Sequence, residues 1–264
     1  MTPQYDKAFT DVIQGLLNWR MWVRLGWQEN KRRYRRTVLG PFWTTLSVGV
    51  FIVTLGFVWS QLWKQDPKVY LPFLASGMVV WALVGTVITE GCQVFIAAEN
   101  LIKSLKINYT VLACAVMWRN VVVLAHNVVI FVLVAIYGDV SLNWQTLLAL
   151  PGLLLVAMNG IWMCLLLGLL CSRFRDIQQV ITTMLQVAMF VTPIFWSADQ
   201  LGARFKSVVD FNLLYHLVDV VRAPLLGHAP SSRTYLSVMA AAFLGWSLTI
   251  VVFSRFRRRI PYWL

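Results

Sequence analysis

Acidic side chains are scarce in this chain: 11 Asp and Glu stand against 23 Lys and Arg, for a formal net charge of +12. A surplus of that size suits either a polyanion or an anionic membrane surface. Cysteine is sparse too. Cys92, Cys114, Cys164 and Cys171 lie in or beside apolar runs without metal or redox spacing, so they read as small packing residues. No G-x-x-x-x-G-K-[ST] phosphate loop occurs, which excludes that mode of ATP binding. H-E-x-x-H, G-x-S-x-G and Cys/His metal spacings are also missing, so no catalytic residue, metal ligand or bound cofactor is expected. Residues 1–40 lack a continuous apolar h-region, and no cleavable signal peptide is expected. There is no internal repeat, and only Glu90, Arg119 and His126 place ionisable groups within apolar runs. That argues against a proton-coupled carrier.

Apolar residues are abundant. The chain is 59% hydrophobic, with mean hydropathy +0.67 and 13 Trp and 15 Phe. A nucleic-acid binder could share the charge but not that hydropathy, since soluble domains are only about 45–50% apolar. The expected class is an all-α integral membrane protein. A spanning helix needs about 20 apolar residues to cross about 30 Å of hydrocarbon. Six segments qualify: about 42–63, 71–95, 112–137, 145–171, 179–197 and 235–254. Six crossings put both termini on one side, which then carries 17 of the Lys and Arg residues, against 6 on the other. The positive-inside rule places both termini in the cytoplasm.

The chain divides into a cytoplasmic interface segment (1–41), a six-helix membrane domain (42–254) and a basic cytoplasmic tail (255–264). Within 1–41, Phe9, Val12, Leu16, Trp19, Val23 and Trp27 share one helical face, with Lys7, Asp11, Gln14 and Asn18 opposite. This predicts an amphipathic helix lying in the membrane interface. Lys31–Arg36 puts five basic residues into six positions just before the first span, with anionic headgroups as the expected counter-charge. Gly40-Pro41 turns the chain into that span. On the exterior, 198–234 is long, and 211–227 is too apolar for a free loop yet too short to span. It reads as a re-entrant or interfacial hairpin whose backbone protein must cover.

The run YRRTVLGPFWTTLSVGVFIVTLGFVWSQLW (34–63) resembles the first membrane helix of the membrane subunit of polysaccharide ABC exporters. Further matches follow in register: EGCQVF (90–95), NLIKSLK (100–106), WRNVVVLAHN (118–127), RFRDI (173–177), TPIFW (192–196) and YHLVDVVRAPLLG (215–227). The resemblance covers nearly the whole chain from about residue 20. Two family prolines are missing, one near Asn108 and one after Asn212, where this chain has Leu213. That family exports lipid-linked O-antigen, capsule or polyol-phosphate chains. The resemblance implies a bacterial inner-membrane homodimer paired with two copies of a separate ATPase subunit, which would bind ATP and Mg. It further implies that the N-terminal helix and the helix at 97–109 (Glu99, Asn100, Lys103, Lys106) contact that ATPase. Between the two membrane subunits, a polymer on undecaprenyl diphosphate would pass along the first and fifth crossings. O-antigen is the expected cargo, with capsule, teichoic acid, or a drug or lipid as alternatives.

The residues themselves bear on this. Thr44, Ser47, Phe51, Thr54, Val58 and Gln61 share one face of the first span, and Thr182, Thr183 and Gln186 line the fifth. Such a stripe suits a sliding sugar chain, or it is inter-helical glue. Trp59, Trp63 and Trp196 sit near the exterior ends of these spans, as a headgroup belt or a channel-exit ring. Glu90 and Arg119 fall at similar depth, roughly 8–10 Å inside, where an unpaired charge is costly. An ion pair between them is expected, with Asn120, His126 and Asn127 extending a polar seam. The reading from another class is an integral-membrane glycosyl- or acyltransferase, for which only Asp210, His216 and Asp219 are on offer. An ion channel would need a filter-like sequence, and none is visible.

Overall fold

The computed structural model describes residues 3–35, 37–38, 40, 42–141, 143–197 and 208–264, and among these it is helical with no strand. Two short helices open the chain, α1 (Pro3–Leu17) and α2 (Trp19–Arg33). Then come α3 (Phe42–Leu62), α4 (Pro67–Gln93), the short α5 (Glu99–Ser104), and α6 (Tyr109–Tyr137). A 3₁₀ turn (Trp144–Leu148) leads into α7 (Ala149–Arg173), followed by α8 (Ile177–Val191). The chain closes with α9 (Leu213–Leu225), α10 (Ser232–Phe256) and α11 (Ile260–Trp263). Helices α3, α4, α6, α7 with its 3₁₀ turn, and α10 are each long and apolar enough to cross a membrane.

α4 is the centre of the bundle. Asp66 caps its start by accepting from Lys68 N at 2.9 Å, and Pro67 occupies the first turn, where its missing N–H costs nothing. It packs against α3, α6, α7, α8 and α9, and 72% of its most apolar window is buried, against 17% for α3. The two helices are similarly apolar, so their burial is decided by neighbours and not by composition. Both chain ends lie at one end of the bundle, where α1 packs on α6 and α10, and α11 packs on α5 and α7.

Three expectations need correction or refinement. The fifth crossing is a helix of 15 residues, about 22 Å at 1.5 Å per residue, so alone it falls short of about 30 Å. Pro193 explains the stop: lacking an N–H, it ends the helix, and Ile194 N turns back to Thr192 O at 2.7 Å. The exterior segment forms α9, wedged among α4, α7 and α10 with His216, Leu217, Val218, Val220 and Val221 buried. Its apolar composition is that of a core helix. Gly152 permits the wedge, because a Cβ there would lie 2.4 Å from the Val220 carbonyl oxygen. The part of this segment at 198–207 lies outside the described residues, as does Pro41. Gly40 does adopt the left-handed φ of +55° that a turn into α3 uses.

The N-terminal helix is broken at Asn18, whose ψ of 51° is not helical. On the face expected to be polar Lys7, Gln14 and Asn18 are exposed but Asp11 is buried, and on the face expected to be apolar only Val12 is buried. Asp11 is 1% exposed, while Phe9, Leu16, Trp19 and Trp27 are all exposed. The physical reason is local. Asp11 accepts from the backbone N–H groups of Tyr109 at 3.2 Å and Thr110 at 3.1 Å, and from Arg257 at 2.5 Å. It thus caps α6 from another helix, at the positive end of the α6 dipole. Asn108, where a family proline is missing, is the N-cap of α6 with φ −73°, a value proline also adopts. Leu213 is likewise a first helical residue, and Asn212 caps it by accepting from Tyr215 N at 3.2 Å. Neither departure disturbs the helix start.

Candidate functional site

A charged cluster joins α2, α4 and α6. Glu90 Oε2 accepts from Arg119 Nη2 at 2.6 Å, from Arg119 Nε at 3.2 Å and from Asn120 Nδ2 at 2.7 Å. Its other oxygen accepts from Arg33 Nη2 at 2.5 Å, and Arg119 Nη1 reaches Glu29. Asn30 Nδ2 donates to the Arg119 carbonyl at 3.2 Å. Two carboxylates and two guanidinium groups therefore neutralise each other, with Glu90 and Arg119 inside and Arg33 reaching solvent. Burial lowers the Arg33 pKa and Glu90 more than restores it, so the net direction is upward. Glu29 and Arg33 were not singled out from the sequence. The available signal was a lone acid among the basic and apolar residues of α2.

Phe42, the first residue of α3, meets the His126 ring edge-on at 5.7 Å between centroids. Arg119 is seven residues nearer the terminal end of α6, about 10 Å of helix. It therefore lies beyond the start of α3, beside the basic segment of α2, while still within α6. His126 and Asn127 are not in this cluster. His126 Nδ1 bonds the Val122 carbonyl at 2.7 Å, and Asn127 Oδ1 accepts from Thr45 at 3.1 Å.

The proposed stripe on α3 is exposed at Ser47, Phe51, Thr54 and Gln61 and half-buried at Thr44. On α8, Thr183 and Gln186 are exposed and Thr182 half-buried, and no α8 residue is buried. Ser47, Thr182 and Thr183 each donate to the carbonyl four residues back, which leaves the oxygen lone pairs outward. Both helices pack on α4. The aromatics of the two spans converge through a residue the sequence reading missed, Tyr70 of α4. Trp59 and Trp63 lie 4.7 Å apart, Trp63 meets Tyr70 at 5.9 Å, and Tyr70 Oη donates to the Phe195 carbonyl at 2.7 Å. Trp196 turns back to donate to Phe190 O at 3.0 Å.

A second polar group fixes the turn after α8. Arg222, 4% exposed, donates to the Pro193 carbonyl at 2.6 Å and to Asp219 at 3.1 Å, and lies 4.7 Å over the Phe73 ring. Asp219 accepts from Thr234, which also meets His216. The candidate catalytic groups of the enzyme reading, Asp210, His216 and Asp219, are engaged in these contacts: His216 with Asp210 O and Thr234, and Asp210 with Arg233.

At the terminal end, Asn100 and Lys103 of α5 and Lys106 just after it face solvent. Lys103 bonds Glu99 at 2.6 Å and holds that carboxyl below its ordinary pKa. With Arg257 and Arg258 the helix borders a basic cleft.

The chain belongs to the ABC-2 type transporter family, whose model matches residues 21–226, and is thereby a transport membrane subunit. Relatives point further. An O-antigen export system permease protein RfbA of Klebsiella pneumoniae is 24% identical over 237 residues, covering 88% of each chain. A protein of the same name from Myxococcus xanthus is 22% identical over 240 residues, covering 88% of this chain and 91% of its own.

Proposed function

We propose that this chain is the channel-forming subunit of an ATP-driven exporter that moves lipid-linked polysaccharide, O-antigen on undecaprenyl diphosphate, across the bacterial inner membrane. Two copies pair, and two copies of a separate ATPase bind at the terminal end, which faces the cytoplasm. The observation that carries the reading is the poorly packed pair α3 and α8. In a single copy their outer faces expose Ser47, Thr54, Gln61, Thr183 and Gln186. Lipid offers no partner to the Gln61 and Gln186 amides or to the outward hydroxyl lone pairs, so a second copy facing them would create a polar, aromatic wall. Sugar hydroxyls exchange hydrogen bonds along such a wall as they slide, and flat rings support the sugar faces. The names of the relatives, with matching chain lengths, favour O-antigen over capsule or teichoic acid.

The basic end supports the orientation, because Lys and Arg concentrate on cytoplasmic sides. The ATPase would dock against α5 and the exposed face of α1 and α2. The test is purification of the tagged chain from its own membranes, with identification of what accompanies it. A nucleotide-binding subunit and a diphosphate-linked glycan are expected. Recovery of a single-chain assembly with a small-molecule cargo would overturn the reading.

A further inference from the structure

Beside the charged cluster, but on the outer side of α2, lies a cavity of about 570 Å³. Trp27, Asn30, Lys31, Arg35, Val123 and His126 line it, and no acidic side chain does. Its position follows from Phe42: the ring that begins α3 sits against His126, so the cavity is level with the start of the first membrane-capable helix.

The chemistry of the walls is uneven in a useful way. Arg33 and Glu29 of the same segment are consumed by Glu90 and Arg119. Lys31 and Arg35 are exposed and form no ion pair among the described residues, so two cations border the cavity without a counter-charge. Asn30 is 6% exposed, and its amide donates to the Arg119 carbonyl while its Oδ1 has no partner. His126 commits Nδ1 to the Val122 carbonyl, which leaves Nε2 for a ligand. Cations for a phosphate thus stand beside acceptors for a hydroxyl, and Trp27 supplies an aromatic ring of the kind that settles at headgroup level.

We propose that this cavity binds the headgroup of one resident anionic phospholipid that carries free hydroxyls, with the phosphate at Lys31 and Arg35. Of the two hydroxyls of a glycerol headgroup, one donates to Asn30 Oδ1 and the other to His126 Nε2. The proposal rests on the membrane placement of the chain and not on the identity of its cargo. A phosphate with hydroxyls also occurs on a lipid-linked sugar diphosphate, so the two sources must be separated.

Native mass spectrometry of the detergent-purified protein does this, with phosphatidylglycerol, phosphatidylcholine of the same acyl chains, and undecaprenyl diphosphate as probes. One phosphatidylglycerol per chain should be retained about tenfold more tightly than phosphatidylcholine. Lys31→Gln with Arg35→Gln should remove that preference, and Lys106→Gln, in a separate basic patch, should keep it. Should the double variant fail to fold, each single variant should lower retention part of the way. Asn30→Leu should weaken phosphatidylglycerol more than a phosphatidic acid, which lacks those hydroxyls. Equal retention of the two phospholipids, or loss that ignores Lys31 and Arg35, overturns the site. Displacement of phosphatidylglycerol by undecaprenyl diphosphate at equal concentration overturns the resident-lipid assignment and gives the site to the cargo.

Discussion

Arg222 Nη1 donates to the Pro193 carbonyl at 2.6 Å, so the buried helix α9 holds the turn that ends α8. The carbonyl is free because Pro193 has broken the helix, and the guanidinium lies 4.7 Å over the Phe73 ring. Arg222→Gln leaves the half-buried Asp219 without its cation and the Pro193 carbonyl without its charged donor, a loss on the order of 3 kcal/mol. The apparent melting temperature in detergent should fall by about 5 °C or more. Arg222→Lys should recover only part of this, since a point charge lacks the fork and the stacking. An unchanged melting curve for Arg222→Gln would show that the turn is held by other contacts.

Glu90 and Arg119 should behave as one unit. Glu90→Ala and Arg119→Ala each strand opposite charges of the cluster, and the double variant should be less damaged than the sum. A coupling of about 1–3 kcal/mol is expected, read from unfolding in detergent or from export rates in a double-mutant cycle. Strict additivity would retire the pair as an energetic unit. Glu29 and Arg33 share the cluster, so Arg33→Ala should also couple to Glu90→Ala.

Asp11 links α1 to the start of α6 and to Arg257. Asp11→Asn keeps the shape but loses the charge, so the cap should weaken by about 1–2 kcal/mol. Hydrogen exchange should then rise over α1 and the first turn of α6, with the far end of the bundle unaffected. Protection that stays at wild-type level in α1 would count against the cap.

The outer face of α3 should tolerate small residues and reject large ones if cargo passes along it. Ser47→Trp or Thr54→Trp should stop export while the protein still inserts and assembles, and lipid-linked polymer should accumulate inside the cell. Export at the normal rate in both variants would remove these side chains from the conduit.

Purified alone, the chain should show no ATPase activity, since it carries no phosphate loop. Charge reversal at Lys103 and Lys106 should reduce co-purification of an ATPase subunit several-fold. Robust turnover by the isolated chain, or unchanged co-purification, contradicts the corresponding assignment.

Composition and run length alone determined that this is a helical membrane protein, and they located α3, α4, α6, α7 and α10 to within a few residues. Those properties are local: 20 apolar residues in sequence demand a backbone that satisfies itself, whatever surrounds them. The motifs also carried the family. The Glu90–Arg119 proximity was legible because sequential antiparallel helices place residues at computable heights. What the tertiary structure decided is which face of each helix meets protein. A helical wheel cannot tell an interior face from a lipid face when both solvents are apolar, and it put Asp11 outside because carboxylates ordinarily prefer water. Tyr109 N, Thr110 N and Thr110 Oγ1 at the start of α6, with Arg257 just past the end of α10, reversed that choice. Tyr70 and Arg222 escaped notice for the same reason. Their partners are backbone carbonyls, of Phe195 and Pro193, which are free only because of how α8 ends and where α9 packs.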